Sequence, residues 1–114
     1  MVSRRMKAYS VLIGSPNNTR RFSRRAERLL HAITARHFPE GFTILDAKGA
    51  WFDPARRAFR KEDARQVVVA TARPGRLRRW GRELGAALHQ REIVLLEIGR
   101  STRLRINGPG AAAR

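Results

Sequence analysis

Cysteine is absent from this 114-residue sequence, and acidic residues are scarce. Without cysteine the fold depends on neither disulfide bonds nor thiolate metal sites, and a reducing compartment, the cytoplasm, is expected. Long hydrophobic runs are missing too, since nothing approaches the roughly 20 apolar residues that cross a bilayer. The apolar stretch from Ala8 to Ile13 is short and interrupted by Ser10, so it makes a poor signal peptide. No membrane partner is therefore expected.

The shortage of acid leaves a large positive charge. Lysine and arginine total 25 against 9 aspartates and glutamates, which gives a formal net charge of +16. That charge favours a polyanion such as nucleic acid as partner. Only three of the basic residues are lysine, however, and G+C-rich coding also produces an arginine excess of this kind. Charge alone leaves both interpretations open.

Patterns that carry chemistry are also lacking. The three histidines, His31, His37 and His89, form no H-x-x-x-H pair, so no metal site is predicted. The turn after Gly14 matches neither a phosphate-binding loop nor a nucleophile elbow. Asp46 and Glu97 fall within predicted strands, where a salt bridge is the expected role of each carboxylate. The sequence therefore predicts a non-catalytic protein with no cofactor and no catalytic residue.

What is present is a clear alternation of strand and helix patterns. Hydrophobic residues make up 42% of the chain, enough for one globular core. Strands are predicted over residues 8–13, 42–51, 64–72 and 93–98. The second and third strands form a hairpin, which residues 59–63 are predicted to extend. One helix is predicted from a cap at Asn18 or Thr19 to Pro39, and another from Pro74 onward.

The resulting order, β-α-β-β-α-β, is typical of the ferredoxin-like α+β fold. This fold has a four-stranded antiparallel sheet, with strands one and three central and two helices on one face. Residues 1–107 are predicted to form one domain, in which 1–5 are a flexible start, and 108–114 a disordered tail. Gly81 and Gly85, one turn apart in the second helix, predict close packing against a neighbouring backbone.

The third and fourth strands are apolar on both alternations. Val67 and Val69 face one way, and Val68 and Ala70 the other. Two helices on one face leave the second face open, so a further copy of the chain or a partner is expected to cover it. This pattern predicts a homodimer through the open sheet face.

Arginines are concentrated on the two predicted helices, away from the apolar positions. Their contacts are expected to reach phosphates and so to be largely independent of base sequence, although solvated helix faces explain the same pattern. An RNA-recognition domain stacks bases on aromatic residues of its central strands, where this sequence has only Tyr9. The residues predicted to bind nucleic acid are Arg20, Arg21, Arg24, Arg25 and Arg28 on helix one and Arg76, Arg78, Arg79 and Arg82 on helix two.

The stretch from Phe38 to Trp51, FPEGFTILDAKGAW, resembles a family of small bacterial domains of unknown function that look ferredoxin-like. The similarity continues through Glu62-Asp63, the strand around Val68 and the Gln90-x-x-Ile93 sequence, about the last two thirds of the chain. The heavy arginine content of this sequence departs from the family pattern. The resemblance implies a fold and carries over no catalytic residue.

Three functions follow as hypotheses. The first is a basic binding module acting on nucleic acid or a nucleoprotein complex, as an accessory or inhibitory factor, for example of a mobile element. The second is a homo-oligomeric regulatory or scaffold protein whose charge reflects coding bias. The third is an enzyme whose site cannot be recognised in the sequence.

Overall fold

Four strands and two helices follow one another in the predicted order, β-α-β-β-α-β. The computed structural model describes residues 6–15, 21–90 and 94–101. The predictions of a flexible start at 1–5 and a disordered tail at 108–114 lie outside these residues. The elements are β1 (Met6–Gly14), α1 (Arg24–His37), β2 (Thr43–Asp53), β3 (Ala58–Thr71), α2 (Pro74–Leu88) and β4 (Val94–Ser101).

The strands form one sheet in the order β2-β3-β1-β4. Every neighbouring pair is antiparallel. Val11 of β1 lies opposite Val67 of β3 on one side and Leu95 of β4 on the other. The prediction that strands one and three are central is therefore confirmed.

The core lies between one face of the sheet and the two helices. Val11, Val67 and Val69 supply the sheet side, and all are buried. Leu30 of α1 and Trp80 of α2 pack onto them in the same cluster. Each such side chain contributes about 1.5–3 kcal/mol by leaving water. The alternate positions of β3 belong to the opposite, open face of the sheet, because side-chain direction alternates along a strand.

Helix α1 begins later than predicted. Its cap is Ser23, whose Oγ accepts a hydrogen bond from the Ala26 N–H at 3.1 Å. The prediction of a cap at Asn18 or Thr19 is wrong, because Phe22 is buried in the core before the first helical turn. Serine caps a helix as well as asparagine does, so the sequence offered several equivalent starts.

Strands β2 and β3 extend beyond the rest of the sheet as a two-stranded arm. The last β1–β3 pair is Gly14 with Ala64, whereas the β2–β3 pairs continue to Asp53 with Ala58. We define the arm as residues 48–53 and 58–63. The third strand runs from Ala58, so it includes both the predicted strand 64–71 and the predicted hairpin extension at 59–63.

The end of α2 explains Gly85, one of the three glycines of this helix. His89 adopts the left-handed conformation (φ 54°, ψ 43°), and the Gln90 N–H donates to the Gly85 carbonyl at 2.8 Å. A Cβ atom on Gly85 would lie 3.3 Å from the Gln90 carbonyl oxygen, so the predicted close approach is present there. At Gly81 nothing lies within 4 Å, and the prediction is wrong for that position.

Candidate functional site

Three of the predicted arginines occupy the first turns of α1. Arg24, Arg25 and Arg28 are exposed. Arg21 is exposed as well but precedes the helix, so its predicted place on helix one is wrong. Arg20 was assigned to the same helix, which begins only at Arg24; the residue itself lies outside the described ranges.

Helix α2 carries the other four arginines, in two different environments. Arg78, Arg79 and Arg82 are exposed. Arg76 is only partly exposed, and its guanidinium pairs with Glu40. The six exposed helix arginines make no ion pair with any residue that the structure describes. We call Arg24, Arg25 and Arg28 the α1 cluster and Arg78, Arg79 and Arg82 the α2 cluster.

The two clusters lie apart along the helical layer. The helices are antiparallel, because α1 follows β1, α2 follows β3, and these two strands are antiparallel neighbours. His37, at the end of α1, contacts Glu83 of α2, and Phe38 packs edge-on against Trp80 at a ring distance of 5.7 Å. The α2 cluster, in the middle of α2, therefore lies beside the C-terminal end of α1, whereas the α1 cluster lies in the first turns of that helix. The layer consequently carries two positive regions rather than one broad surface.

Nearly all carboxylates in the described ranges are held by basic side chains. The Glu83 carboxylate is hydrogen-bonded to Arg36 and His37, and these bonds lower its pKa from its ordinary 4.5 to about 2. Lys48 donates to Asp63 at 2.5 Å and lowers the pKa of that carboxyl. The other pairs are Glu27 with Arg65, Glu40 with Arg76, Asp46 with Arg65, Asp53 with Arg56, and Glu97 with Lys7.

Asp46 and Glu97 were the carboxylates singled out from the strand pattern, and Glu97 pairs with Lys7 at 3.0 Å. Asp46 is the more exposed of the two. It is 90% exposed and lies 3.3 Å from the Arg65 side chain, in an ordinary surface ion pair. His31 contacts Glu27, 3.9 Å away. Within residues 6–15, 21–90 and 94–101 no three metal-ligating side chains come together. Neither the histidines nor Asp46 therefore builds a site in this part of the chain.

Glu62 is the exception among the described carboxylates, because none of the described residues forms an ion pair or a hydrogen bond with it. It lies opposite Gly49 on β2, at the base of the arm. A Cβ atom on Gly14 would lie only 2.7 Å from Glu62 Oε1. The carboxyl thus occupies space that a side chain at position 14 would take. Partial burial raises the pKa of Glu62, and the nearby Arg60 charge opposes that rise.

Gln90 reaches the same place from the end of α2. Its Nε2 donates to the carbonyls of Gly14 (3.3 Å), Ser15 (3.4 Å) and Leu88 (3.5 Å). Its Oε1 lies 3.9 Å from the position that a Gly14 Cβ would take. We call Gly14, Gly49, Glu62 and Gln90 the arm-base site.

Two further contacts define the surroundings of the arm-base site. Ser15 Oγ donates to the Asp63 carbonyl at 2.5 Å, which ties the end of β1 to the base of the arm. On the arm the Arg60 guanidinium lies 5.3 Å from the ring centre of Trp51. Sequence reasoning missed this site because Glu62 and Gln90 are 28 residues apart with no motif spacing. Both residues do fall in the stretch that resembles the bacterial domain family.

The open face of the sheet carries exposed leucines. Leu12 is 40% exposed, Leu45 45% and Leu96 50%. Leu12 and Leu45 both lie opposite Gln66, so they belong to one row across the sheet. In the described part of the chain, no helix is both long and apolar enough to span a membrane.

The element order, the antiparallel sheet and the helical layer define the class of this protein, a ferredoxin-like α+β domain. Among solved structures it is similar to a phage SAM lyase in complex with S-methyl-5′-thioadenosine, with a TM-score of 0.61 and 11% identity over 90% of this chain and 93% of that one. It is also similar to the periplasmic divalent cation tolerance protein CutA from Archaeoglobus fulgidus, with a TM-score of 0.56 and 9% identity over 93% and 90% of the two chains.

A third similar structure is the B. subtilis GlnK–ATP complex, with a TM-score of 0.50 and 9% identity over 81% of this chain and 83% of that one. No family model matches the sequence, and comparison with curated proteins gave no match. At these identities the similarities establish the fold alone. The resemblance to the bacterial domain family stays a prediction.

Proposed function

We propose that this protein is a basic, non-catalytic binding module that holds a nucleic acid, alone or within a nucleoprotein complex, through the exposed arginines of α1 and α2. The observation that carries the proposal is that none of the carboxylates in the described ranges pairs with those six side chains. Seven of the eight described carboxylates pair with other basic residues. The clusters therefore keep their full charge for a partner.

The position of the arginines along the helices supports the same proposal. A helix dipole favours cations at the C-terminal end, and each cation near the N-terminus costs about 0.3–1 kcal/mol. Arg78 and Arg79 lie beyond the first turn of α2, where the dipole has little effect. Arg24 and Arg25 open α1, and helix stability does not explain their placement there. Phosphate oxygens, in contrast, are favoured at such positions.

The test compares two triple variants with equal charge change. Arg24, Arg25 and Arg28 are changed to Glu in one variant. In the other, the arm variant, Arg56 and Arg57 in the turn that joins the arm strands and Lys61 on the arm are changed to Glu. Binding to a fluorescently labelled single-stranded oligonucleotide is measured by anisotropy. We expect the α1 variant to lose binding at moderate salt and the arm variant to retain most of it. Equal losses would reduce the effect to net charge, and no binding by the parent even at low salt would refute the proposal.

A second candidate, homo-oligomeric assembly through the open sheet face, is favoured by the exposed leucines there. Leu12, Leu45 and Leu96 are at least two-fifths exposed on strands of the sheet. At about 25 cal/mol per Å² of apolar surface, covering them is favourable. A further copy of the same face brings apolar surface against apolar surface while the basic helices point away from each other.

Light scattering on the parent and two point variants tests the assembly. Leu45→Glu places a charge on the open face, and Ala86→Glu makes the same change on the exposed side of α2. We expect a parent of at least two copies, a Leu45→Glu variant that dissociates and an Ala86→Glu variant that does not. A strictly monomeric parent would rule out this candidate.

A further inference from the structure

The arm-base site presents two acceptor oxygens to one small region. Glu62 Oε1 and Gln90 Oε1 lie 2.7 and 3.9 Å from the same point, the position of a Cβ on Gly14. The Gln90 amide is oriented by its neighbours, because three main-chain carbonyls accept from Nε2. Its oxygen is therefore the atom left to face the Glu62 side. A ligand here has to supply N–H donors.

The glycines of the site keep this region open. Gly14 does not have a positive φ, so its backbone does not require glycine. Its missing side chain instead makes room for the Glu62 carboxyl. Gly49, opposite Glu62, leaves the other flank without a side chain. The sequence thus has its smallest residue on both strands that border the carboxyl.

An aromatic ring and a cation lie next to the acceptors on the same face of the arm. Trp51 pairs with Arg60 and Gly49 with Glu62, so all four residues face one side. Two residues along a strand span about 7 Å, a distance that a fused two-ring base with an amino group can cover. Trp51 is 37% exposed, and the Arg60 guanidinium lies over one face of its ring, so the opposite ring face is the one left for stacking.

The charge of the protein selects among donor-bearing ligands. A net charge of +16 repels free ammonium ions and amines that are cationic. A hard metal cation prefers six or more oxygens, and one carboxylate and one amide do not supply them. The remaining class is an anionic molecule that carries a neutral amino group and a flat ring. Nucleotides with an exocyclic amine have all three features.

We propose that the arm-base site binds a free amino-bearing nucleotide, with the amino group donating to Glu62 and Gln90, the base stacking on Trp51 and the phosphate next to Arg60. This site is separate from the helix arginines and independent of their proposed role. The two acceptor oxygens recognise the amino group, so a base with a carbonyl at that position binds more weakly. A carbonyl there would face two acceptors and leave them without donors.

The experiment measures the quenching of tryptophan fluorescence by adenosine 5′-monophosphate and by inosine 5′-monophosphate, which differ in the amino group. We expect the adenosine nucleotide to bind at least about tenfold more tightly, the usual effect of losing a charge-assisted hydrogen bond. Cytidine and uridine monophosphates repeat the comparison with a single-ring base. No binding of either amino nucleotide, or equal binding of amino and carbonyl nucleotides, would overturn the proposal.

Variants assign the effect to the site. Glu62→Gln keeps the size of a partly exposed side chain and should cost about tenfold in affinity for adenosine monophosphate. Gly14→Val should abolish binding by displacing the Glu62 carboxyl, and Gly81→Ala, where nothing lies within 4 Å, should leave it unchanged. Arg24, Arg25 and Arg28 changed to Glu should also leave it unchanged. If Glu62→Gln binds as well as the parent, the proposal fails whether or not the helices bind nucleic acid.

Discussion

Two glutamates on opposite sides of the molecule meet opposite surroundings. Glu83, at the junction of α1 and α2, is held by Arg36 and His37, and its pKa falls to about 2. Glu62, at the base of the arm, has no ionic partner among the described residues, and burial raises its pKa. In a chain with 25 lysines and arginines, an unpaired carboxyl is the unusual case. The helical side thus uses carboxylates to join its helices, whereas the arm side keeps one available.

The difference also separates structural from functional surfaces. The helix junction combines the Glu83 pairs with the buried Trp80, so it holds the fold together. The arm base combines two glycines with an unpaired carboxyl, and the exposed Trp51 lies nearby on the arm. Substitutions on the two sides should therefore affect different properties, stability in one case and binding in the other.

The largest expected difference is between the two tryptophans. Trp80 is 1% exposed, and its Nε1 donates to Thr34 Oγ1 at 3.0 Å. Trp80→Ala should cost about 3–5 kcal/mol of unfolding free energy. Trp51→Ala, on the exposed arm, should cost about 1 kcal/mol or less. Urea denaturation followed by circular dichroism measures both, and equal losses would contradict the division between the two sides.

The core side of this comparison was predictable from sequence, and the arm side only in part. Alternation around Val11 and Val67 identified the central strands, and Trp80 fell on the apolar positions of α2. The hairpin extension at 59–63 was predicted, but the arm is rich in charge, so no apolar period marked it as part of a regular strand. Several residues before α1 are equally good caps, and only the burial of Phe22 decides in favour of Ser23.

The second prediction concerns pH. Glu83 has a lowered pKa, so the stability that it contributes is present above its ordinary pKa of 4.5 and is lost as pH falls toward about 2. Glu83→Gln should therefore flatten the loss of melting temperature in that range. Glu62 has a raised pKa, so its effect on stability has the opposite sign, because the folded protein holds the Glu62 proton more tightly than the unfolded chain does. Its ionisation should lower stability as pH rises above its ordinary value.

Melting curves of the parent, Glu83→Gln and Glu62→Gln between pH 2 and pH 7 distinguish the two glutamates. Removing the Glu62 carboxylate should leave the parent's acid loss in place and slightly raise stability near neutrality. If both variants shift the curve in the same direction, the contrast between a paired and an unpaired carboxyl is wrong.

The smallest expected effect is at Gly81 and Gly85 of α2. Gly81→Ala adds a Cβ into open space and should stabilise the helix by about 0.5–1 kcal/mol. At Gly85 the added Cβ would lie 3.3 Å from the Gln90 carbonyl, which should cancel this gain. The same urea titrations apply. If the Gly85→Ala variant is as stable as Gly81→Ala, the Gln90 main chain moves aside at little cost in free energy.

The candidate sites were predicted unevenly. The arginines could be located from composition and helical spacing, although the antiparallel helices divide them into two clusters. The convergence of Glu62 and Gln90 depends on how β3 registers with β1 and on how α2 ends. No local pattern encodes either feature. The one local signal was the glycine at position 14 of a strand, and it is explained only by the Glu62 carboxyl on the neighbouring strand.

The salt dependence of oligonucleotide affinity tests the central claim, that the helix arginines bind phosphates, most directly. For single strands, each phosphate contact adds about 0.7 to the slope of log affinity against log salt. Changing Arg24, Arg25 and Arg28 to Glu should lower the magnitude of that slope by about 2 if all three bind phosphate. Changing Arg56, Arg57 and Lys61 to Glu should leave it nearly unaltered. An unchanged slope in the helix variant would contradict the claim.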